Sequence, residues 1–139
     1  MLFPKKVKFR KWQTTRRNPN KPKVETRGLT ISFGAYGLRA QSAGRLTSNQ
    51  LEAARRAGSR YLGKTGRLWT RVFPDRPYTQ KPAEVGMGKG KGDPQGYEVQ
   101  VFPGRLIFEV DGTTEAVGRE ALRKAGAKLP IKVKVVARE

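Results

Sequence analysis

The sequence predicts an α+β fold, a two-layer sandwich of a mainly antiparallel or mixed sheet with two helices. Two segments repeat apolar residues at helical spacing, and five short segments are rich in β-branched and aromatic residues. At 139 residues, the chain is long enough for one domain that folds without disulfides. We therefore predict one α+β domain over residues 28–139, preceded by an extended basic N-terminal arm over residues 1–27.

The first strand and the first helix are predicted before residue 67. Residues 29–34 form the strand candidate, and a glycine-containing link follows it. The helix begins at Thr47, because Gln50 stands three residues later in the pattern of a capping box. Gly63 and Gly66 mark its end. Its predicted buried stripe is Leu51, Ala54, Gly58, Tyr61 and Leu62.

Three further strands are predicted before the second helix. Residues 67–73 have the β-branched and aromatic content of a strand. Residues 97–102 and 105–111 alternate apolar and polar residues, so each presents an apolar face to a common core. Pro103 and Gly104 separate these two strands and predict a hairpin.

The second helix and the last strand complete the domain. Thr113 or Thr114 caps the helix, and Pro130 ends it. Its predicted buried stripe is Val117, Ala121, Leu122, Ala125 and Leu129. Its predicted exposed pairs, four residues apart, are Glu115 with Arg119 and Glu120 with Lys124. In the strand over residues 131–135, apolar residues alternate with lysines, which predicts a cationic outer face.

A long segment without a core pattern, residues 74–96, interrupts the domain. It exceeds the roughly 12 to 15 residues beyond which structureless loops in compact domains are usually functional or disordered. Its centre, from Lys81 to Gly92, reads KPAEVGMGKGKG. Glycine lets the backbone approach a partner closely, and lysine supplies compact positive charge. We predict a functional loop that contacts a polyanion.

The charge of the chain also predicts a polyanionic partner. Lys and Arg number 30 and Asp and Glu number 11, which gives a formal net charge of +19. Nucleic acid is favoured over a membrane, because no apolar run reaches about 20 residues and no helix pairs a basic face with a broad apolar face. The N-terminus has no apolar leader segment, which favours a cytoplasmic location.

The absence of Cys and His excludes most catalytic schemes. Without them the chain has no thiolate nucleophile, no ordinary zinc ligands and no usual general base near neutral pH. We therefore predict no enzymatic activity, no metal and no cofactor. A phosphate-loop enzyme is the weaker alternative, because MGKGKG lacks the GxxxxGK[ST] pattern and does not lead from a strand into a helix.

Two further segments are candidate RNA contacts beside the loop. The arm holds ten basic residues against Glu25, and its Phe9 and Trp12 could stack on bases, unless the arm is a disordered leader. The first helix gathers Arg55, Arg56 and Arg60 on one side, where the alternative is an ordinary solvated surface. Several separate anchorages favour a folded RNA over duplex DNA, and no helix-turn-helix is visible. A free-standing nucleic-acid chaperone is the competing class.

Seven sequence blocks, in one order along the chain, carry a family resemblance. They are PKKVKFRK at 4–11, SFGAYGL at 32–38, QLEAARRA at 50–57, RLWTRVFPDRPYTQKPAEV at 67–85, MGKGKG at 87–92, PGRLIFEV at 103–110 and AKLPIKVKVV at 127–136. With these blocks the chain resembles the bacterial and organellar ribosomal protein L-sixteen family of the large subunit. The resemblance implies an α+β fold, binding to large-subunit (23S) rRNA, an organising role at the tRNA-accepting (A) site and a late role in subunit assembly.

The resemblance also implies partners and particular residues. It implies contacts with A- and P-site tRNA near the peptidyl-transferase region, neighbouring ribosomal proteins, 5S rRNA in the vicinity, and no membrane. The ribosome would be cytoplasmic or organellar. The residues implied in rRNA binding are Lys5, Lys6, Lys8, Arg10, Lys11, Arg55, Arg56, Arg60 and Arg71. The residues implied in the tRNA-proximal loop are Lys81, Met87, Gly88, Lys89, Gly90 and Lys91.

The chain departs from the family pattern at Gly86. The family usually has Arg there, and some bacteria hydroxylate that arginine, a modification that glycine does not permit. The departure implies a loop with one guanidinium fewer, so that its RNA contacts are either weaker or replaced by those of Arg76 or Lys81. Residues 14–27 also match no family pattern.

Overall fold

The computed structural model describes residues 2–12, 23–82, 86, 88 and 90–138. Its helices and strands, in chain order, are β1 (Tyr36–Ala40), β2 (Gly44–Thr47), α1 (Ser48–Leu62), β3 (Arg67–Thr70), β4 (Arg76–Gln80), β5 (Asp93–Val101), β6 (Leu106–Asp111), α2 (Glu115–Gly126) and β7 (Val133–Ala137). The predicted α+β fold class is confirmed.

The strands form two antiparallel sheets. One has the order β3-β6-β1-β7, and the other has the order β2-β5-β4. The two helices pack against each other and against the four-stranded sheet, and α1 also contacts β2 and β5. One apolar core therefore runs between the helices and both sheets. Its buried residues include Leu38, Leu46, Leu51, Val101, Phe108 and Leu122.

The predicted strand over residues 29–34 is wrong. The first strand is β1, and β2 occupies part of the predicted link. The backbone N–H groups of Ser32 and Phe33 donate to the carboxylate of Glu109 at 2.6 and 3.2 Å. A side chain thus satisfies donors that a strand would offer to its neighbour, so this segment needs no place in a sheet.

The predicted hairpin between residues 97–102 and 105–111 is also wrong. β5 pairs with β2 and β4, whereas β6 pairs with β1 and β3, so the two consecutive strands lie in different sheets. Gly104, between them, has a φ of 103°, a conformation that glycine adopts without strain. Its N–H donates to the carbonyl oxygen of Ala40 at 2.8 Å, which ties the turn to β1.

The segment predicted as one long loop, residues 74–96, contains β4 and the start of β5. These two strands pair as far as Gln80 opposite Asp93. The connection is therefore residues 81–92, which we call the glycine loop. Strand pairing fixes both of its ends at one end of the three-stranded sheet. The preceding strand, β3, is shorter than predicted and ends at Thr70.

Both helices begin at the predicted caps. Thr47 and Gln50 form the two reciprocal hydrogen bonds of a capping box, at 3.0 and 3.3 Å. Thr114, rather than Thr113, is the cap of α2, and its side chain accepts a hydrogen bond from the N–H of Val117. The local sequence is therefore sufficient to locate both helix starts.

The exposed side of the helix pair differs from prediction. Tyr61, predicted to be buried, is 41% exposed, and the ammonium of Lys124 lies 4.5 Å from the centre of its ring. Lys124 is therefore not the partner of Glu120, which instead pairs with Arg123. The other predicted pair, Glu115 with Arg119, is confirmed at 3.0 Å.

Candidate nucleic-acid interface

The first part of the N-terminal arm, residues 2–12, lies against the three-stranded sheet. The ring of Phe3 contacts the ring of Tyr97 on β5, with centroids 6.2 Å apart. Phe9 is 63% exposed and Trp12 is 44% exposed. The arm cations predicted to bind RNA are all exposed: Lys5, Lys6, Lys8, Arg10 and Lys11. The arm thus offers positive charge and aromatic surface together, as RNA-binding segments do.

The arm and the glycine loop contact each other, although the sequence presents them as separate segments. Lys11 Nζ donates to the carbonyl oxygen of Lys91 at 3.3 Å. In return, Lys91 Nζ donates to the carbonyl oxygen of Trp12. These reciprocal bonds join two of the three predicted RNA contacts into one surface. We call it the arm–loop surface, formed by residues 2–12 and the described residues of the glycine loop.

Three described glycines of the glycine loop have open space around them. A β-carbon built at Gly86, Gly88 or Gly90 would meet no atom within 4 Å. Of these three, Gly90 has a positive φ of 94°, which by itself favours glycine. At Gly86 and Gly88 the fold does not require glycine, so the missing side chains leave room for another molecule. Met87 and Lys89, predicted for the tRNA-proximal loop, lie outside the described residues.

The loop borders a cleft of about 630 Å³. Lys81 and Lys91 line this cleft, and Lys81 Nζ donates to the carbonyl oxygen of Gly88. Arg76, expected as one replacement for the missing guanidinium at Gly86, is instead buried in β4, where its Nη1 donates to Gln100 Oε1 at 2.9 Å. Of the two expected replacements, Lys81 is therefore the one that reaches the cleft.

Two of the three arginines predicted on α1 share one carboxylate. Arg55 bonds both oxygens of Glu52, at 2.5 and 3.1 Å, and Arg56 Nε bonds one of them at 3.1 Å. These hydrogen bonds, above all those from Arg55, lower the pKa of Glu52 from 4.5 to about 2. The Arg56 side chain is still 68% exposed. A single acid therefore orients two guanidinium groups and leaves a net positive charge.

Glu52 with Arg55 and Arg56, which we call the Glu52 cluster, should make a pH-dependent contribution to the stability of the fold. Because the pKa of Glu52 is lowered to about 2, the contribution is full above about pH 4.5 and is lost as the pH falls towards 2. We expect Glu52→Gln to lower the free energy of unfolding by about 1 kcal/mol at neutral pH, since solvent screens Arg55. Urea unfolding of both proteins across this pH range measures the difference, and a difference that persists at pH 2 would contradict the prediction.

Arg60, the third arginine of α1, lies apart from the Glu52 cluster. It lines a cleft of about 460 Å³ between the C-terminal ends of the two helices, together with Arg123, Lys124 and Lys128 from the second helix and the turn after it. The sequence did not predict this grouping, because the charges of α2 were expected to form exposed pairs within the helix. The signal was the run of cations at the end of α2, which only helix packing places beside Arg60.

Arg71, also predicted to bind rRNA, has an internal partner. Its Nη1 lies 3.1 Å from Oε2 of Glu109, and its side chain is 19% exposed. Glu109 itself is fully buried. The structure thus gives Arg71 a role in neutralising a buried carboxylate, and rRNA binding by this residue stays a prediction.

Arginine and lysine differ in the ion pairs that they form. Among the described residues, all seven ion pairs use arginine, and no lysine lies within 4 Å of a carboxylate. The carboxylates engaged are Glu25, Glu52, Glu98, Glu109, Glu115 and Glu120. Arginine therefore makes all the ion pairs in this part of the chain, and no lysine charge here is neutralised by direct contact with a carboxylate.

The fold and these surfaces are those of a basic α+β protein suited to a polyanionic partner. Neither helix in the described part of the chain is long and apolar enough to cross a membrane. The chain belongs to the Ribosomal protein L16p/L10e family, whose model matches residues 4–136. It is therefore a structural constituent of the large ribosomal subunit, an RNA-binding protein of a ribonucleoprotein that acts in translation. The predicted family resemblance is confirmed.

Proposed function

We propose that this chain binds large-subunit (23S) rRNA and organises the tRNA-accepting site, where its glycine loop contacts A- and P-site tRNA near the peptidyl-transferase region. The observation that carries the proposal is the arm–loop surface. It combines exposed lysines, exposed Phe9 and Trp12, and glycines with open space around them. Lysine binds phosphate, exposed aromatic rings stack on unpaired bases, and glycine permits close approach of an RNA backbone.

In this proposal the protein is a scaffold and electrostatic clamp, and the chemistry of translation belongs to RNA. The arm and the helix arginines neutralise phosphates where rRNA segments converge, and the loop stabilises the end of a bound tRNA. Binding to rRNA then loses about 0.9 log units of affinity per log unit of salt for each duplex phosphate neutralised. The same contacts support a late step of subunit assembly, beside neighbouring ribosomal proteins and 5S rRNA, in a cytoplasmic or organellar ribosome. No cofactor or enzymatic step is needed.

Crosslinking in growing cells, followed by sequencing of the attached RNA, tests the proposal. Wild-type protein should give a tight cluster of reads on large-subunit rRNA around the tRNA-accepting site, with minor tRNA reads. The double variant Lys81→Ala/Lys91→Ala should give about tenfold fewer tRNA reads, because two charged contacts to tRNA are removed. The cluster of rRNA reads should remain.

A matched control removes the same charge elsewhere. Lys64 and Lys132 are exposed and lie outside the arm–loop surface, so Lys64→Ala/Lys132→Ala should leave the tRNA reads unchanged. Wild-type reads scattered over many transcripts would favour the nucleic-acid chaperone instead. Unchanged tRNA reads in the loop variant would remove the loop from the proposal and leave rRNA binding standing.

A further inference from the structure

A second aromatic surface lies on the four-stranded sheet, on the face opposite the helices. Trp69 belongs to the edge strand β3, and the ring of Phe33 stacks on it with centroids 6.1 Å apart and an interplanar angle of 25°. The guanidinium of Arg71, two residues after Trp69, lies 5.2 Å from the centre of the Phe33 ring. Phe33 is nevertheless 57% exposed. An apolar ring is thus held against two side chains with more than half of its surface open to solvent.

A buried carboxylate holds this arrangement in place. Glu109 is fully buried and accepts hydrogen bonds from the backbone N–H groups of Ser32 and Phe33. It also forms the ion pair with Arg71. Burial of a carboxylate is unfavourable unless donors satisfy it. Here the donors belong to the backbone that carries Phe33 and to the guanidinium beside its ring, so the buried group fixes the geometry of an exposed surface.

The sheet face that carries Trp69 is rich in charged side chains. Strand alternation and register place Arg67, Arg39 and Lys134 on the same sheet face as Trp69 and Arg71, with the carboxylates Glu109 and Asp111 and the apolar side chains of Ile107 and Val136. The face therefore has four cations and two acids. A protein partner would usually bury an apolar ring among other apolar side chains, whereas aromatic and guanidinium planes flanked by cations suit an unpaired base and its phosphates.

We propose that Phe33, Trp69 and Arg71 form a stacking site for an unpaired RNA base, with exposed Arg67 beside it for the adjoining phosphate. The site lies on the four-stranded sheet, whereas the arm–loop surface lies on the three-stranded sheet. It rests on the proposed function only in that the ligand is RNA. The protein then holds RNA at two faces, one of which recognises an unstacked base.

The variant Phe33→Leu tests the stacking site. Its matched control is Phe73→Leu, since Phe73 is 44% exposed and has no aromatic contact among the described residues. Affinity is measured for a short oligoadenylate and for an abasic oligomer of the same length, which keeps the phosphates and removes the bases. We expect Phe33→Leu to weaken oligoadenylate binding by about 5- to 150-fold, with abasic binding and the melting temperature unchanged. Phe73→Leu should change neither affinity.

Mass-spectrometric mapping of ultraviolet crosslinks is a second test of the stacking site. Peptides that contain Phe33 or Trp69 should carry adenosine after irradiation of the wild-type complex. Equal oligoadenylate affinity of wild type and Phe33→Leu, or equal loss for both oligomers, would overturn the stacking site. Binding of the wild type to purified large-subunit rRNA is measured in parallel. If that binding is absent, the proposed function is wrong. If the wild type binds rRNA but Phe33→Leu does not change oligoadenylate affinity, only the stacking site is wrong.

Discussion

Replacing Arg71 with Met should lower the free energy of unfolding by about 3 to 5 kcal/mol, because it leaves a buried carboxylate without its charged partner. Glu109 is fully buried in the fold, and its carboxylate pairs with the guanidinium of Arg71 at 3.1 Å. The two hydrogen bonds from Ser32 and Phe33 remain in the variant, but these neutral donors supply no positive charge opposite the buried carboxylate. Chemical denaturation of both proteins measures the loss.

An exposed ion pair provides the control for this prediction. Arg119 pairs with Glu115, whose side chain is 64% exposed, so Arg119→Met should change stability by less than about 1 kcal/mol. A double variant, Arg71→Met/Glu109→Leu, should recover part of the loss because it removes the unpaired charge. If Arg71→Met unfolds like the wild type yet binds rRNA poorly, the residue acts on RNA and its structural role is wrong.

Replacing Gly34 with Ala should cost about 2 to 3 kcal/mol of stability. A β-carbon at this position would lie 2.6 Å from the carbonyl oxygen and 2.9 Å from the nitrogen of Val110, both backbone atoms of β6. Those atoms belong to a central strand of the four-stranded sheet and cannot move aside as a side chain end can. Relief of the clash would displace the segment that carries Phe33.

A glycine from the loop is the matched control. A β-carbon at Gly88 would meet no atom within 4 Å, so Gly88→Ala should leave the melting temperature unchanged. The comparison separates a glycine needed for folding from a glycine that the fold does not require. A stable Gly34→Ala variant would mean that β6 yields at Val110, contrary to the expectation. Thermal unfolding followed by circular dichroism measures both variants.

Local sequence predicted the elements whose determinants lie within a few residues. Thr47 with Gln50 located the start of α1, because a capping box needs only those two side chains and the adjoining backbone. The pair Glu115 with Arg119 was likewise predictable, since residues four apart on a helix are neighbours. The charge excess identified a polyanion as the partner without any structure, and the motif blocks identified the family.

Long-range contacts overruled local signals in two places. Pro103 and Gly104 have the sequence of a hairpin turn, yet the strands on either side of them lie in different sheets. The N–H of Gly104 bonds to the carbonyl oxygen of Ala40, where the chain crosses from one sheet to the other. Residues 29–34 have strand composition, yet the N–H groups of Ser32 and Phe33 bond to Glu109, about 77 positions away in the chain. Turn propensity and strand composition carry no information about a partner that distant.

The sequence by itself therefore determined the α+β class, the helix starts, the polyanionic partner and the family, because composition, periodicity and motifs are properties of neighbouring residues. Only the tertiary structure decided which cations share a surface. It joined Lys11 to Lys91, placed Arg60 beside the cations of α2, and set Arg71 against Glu109 under Phe33. The physical reason is that these groupings depend on strand pairing and helix packing between segments far apart in the chain.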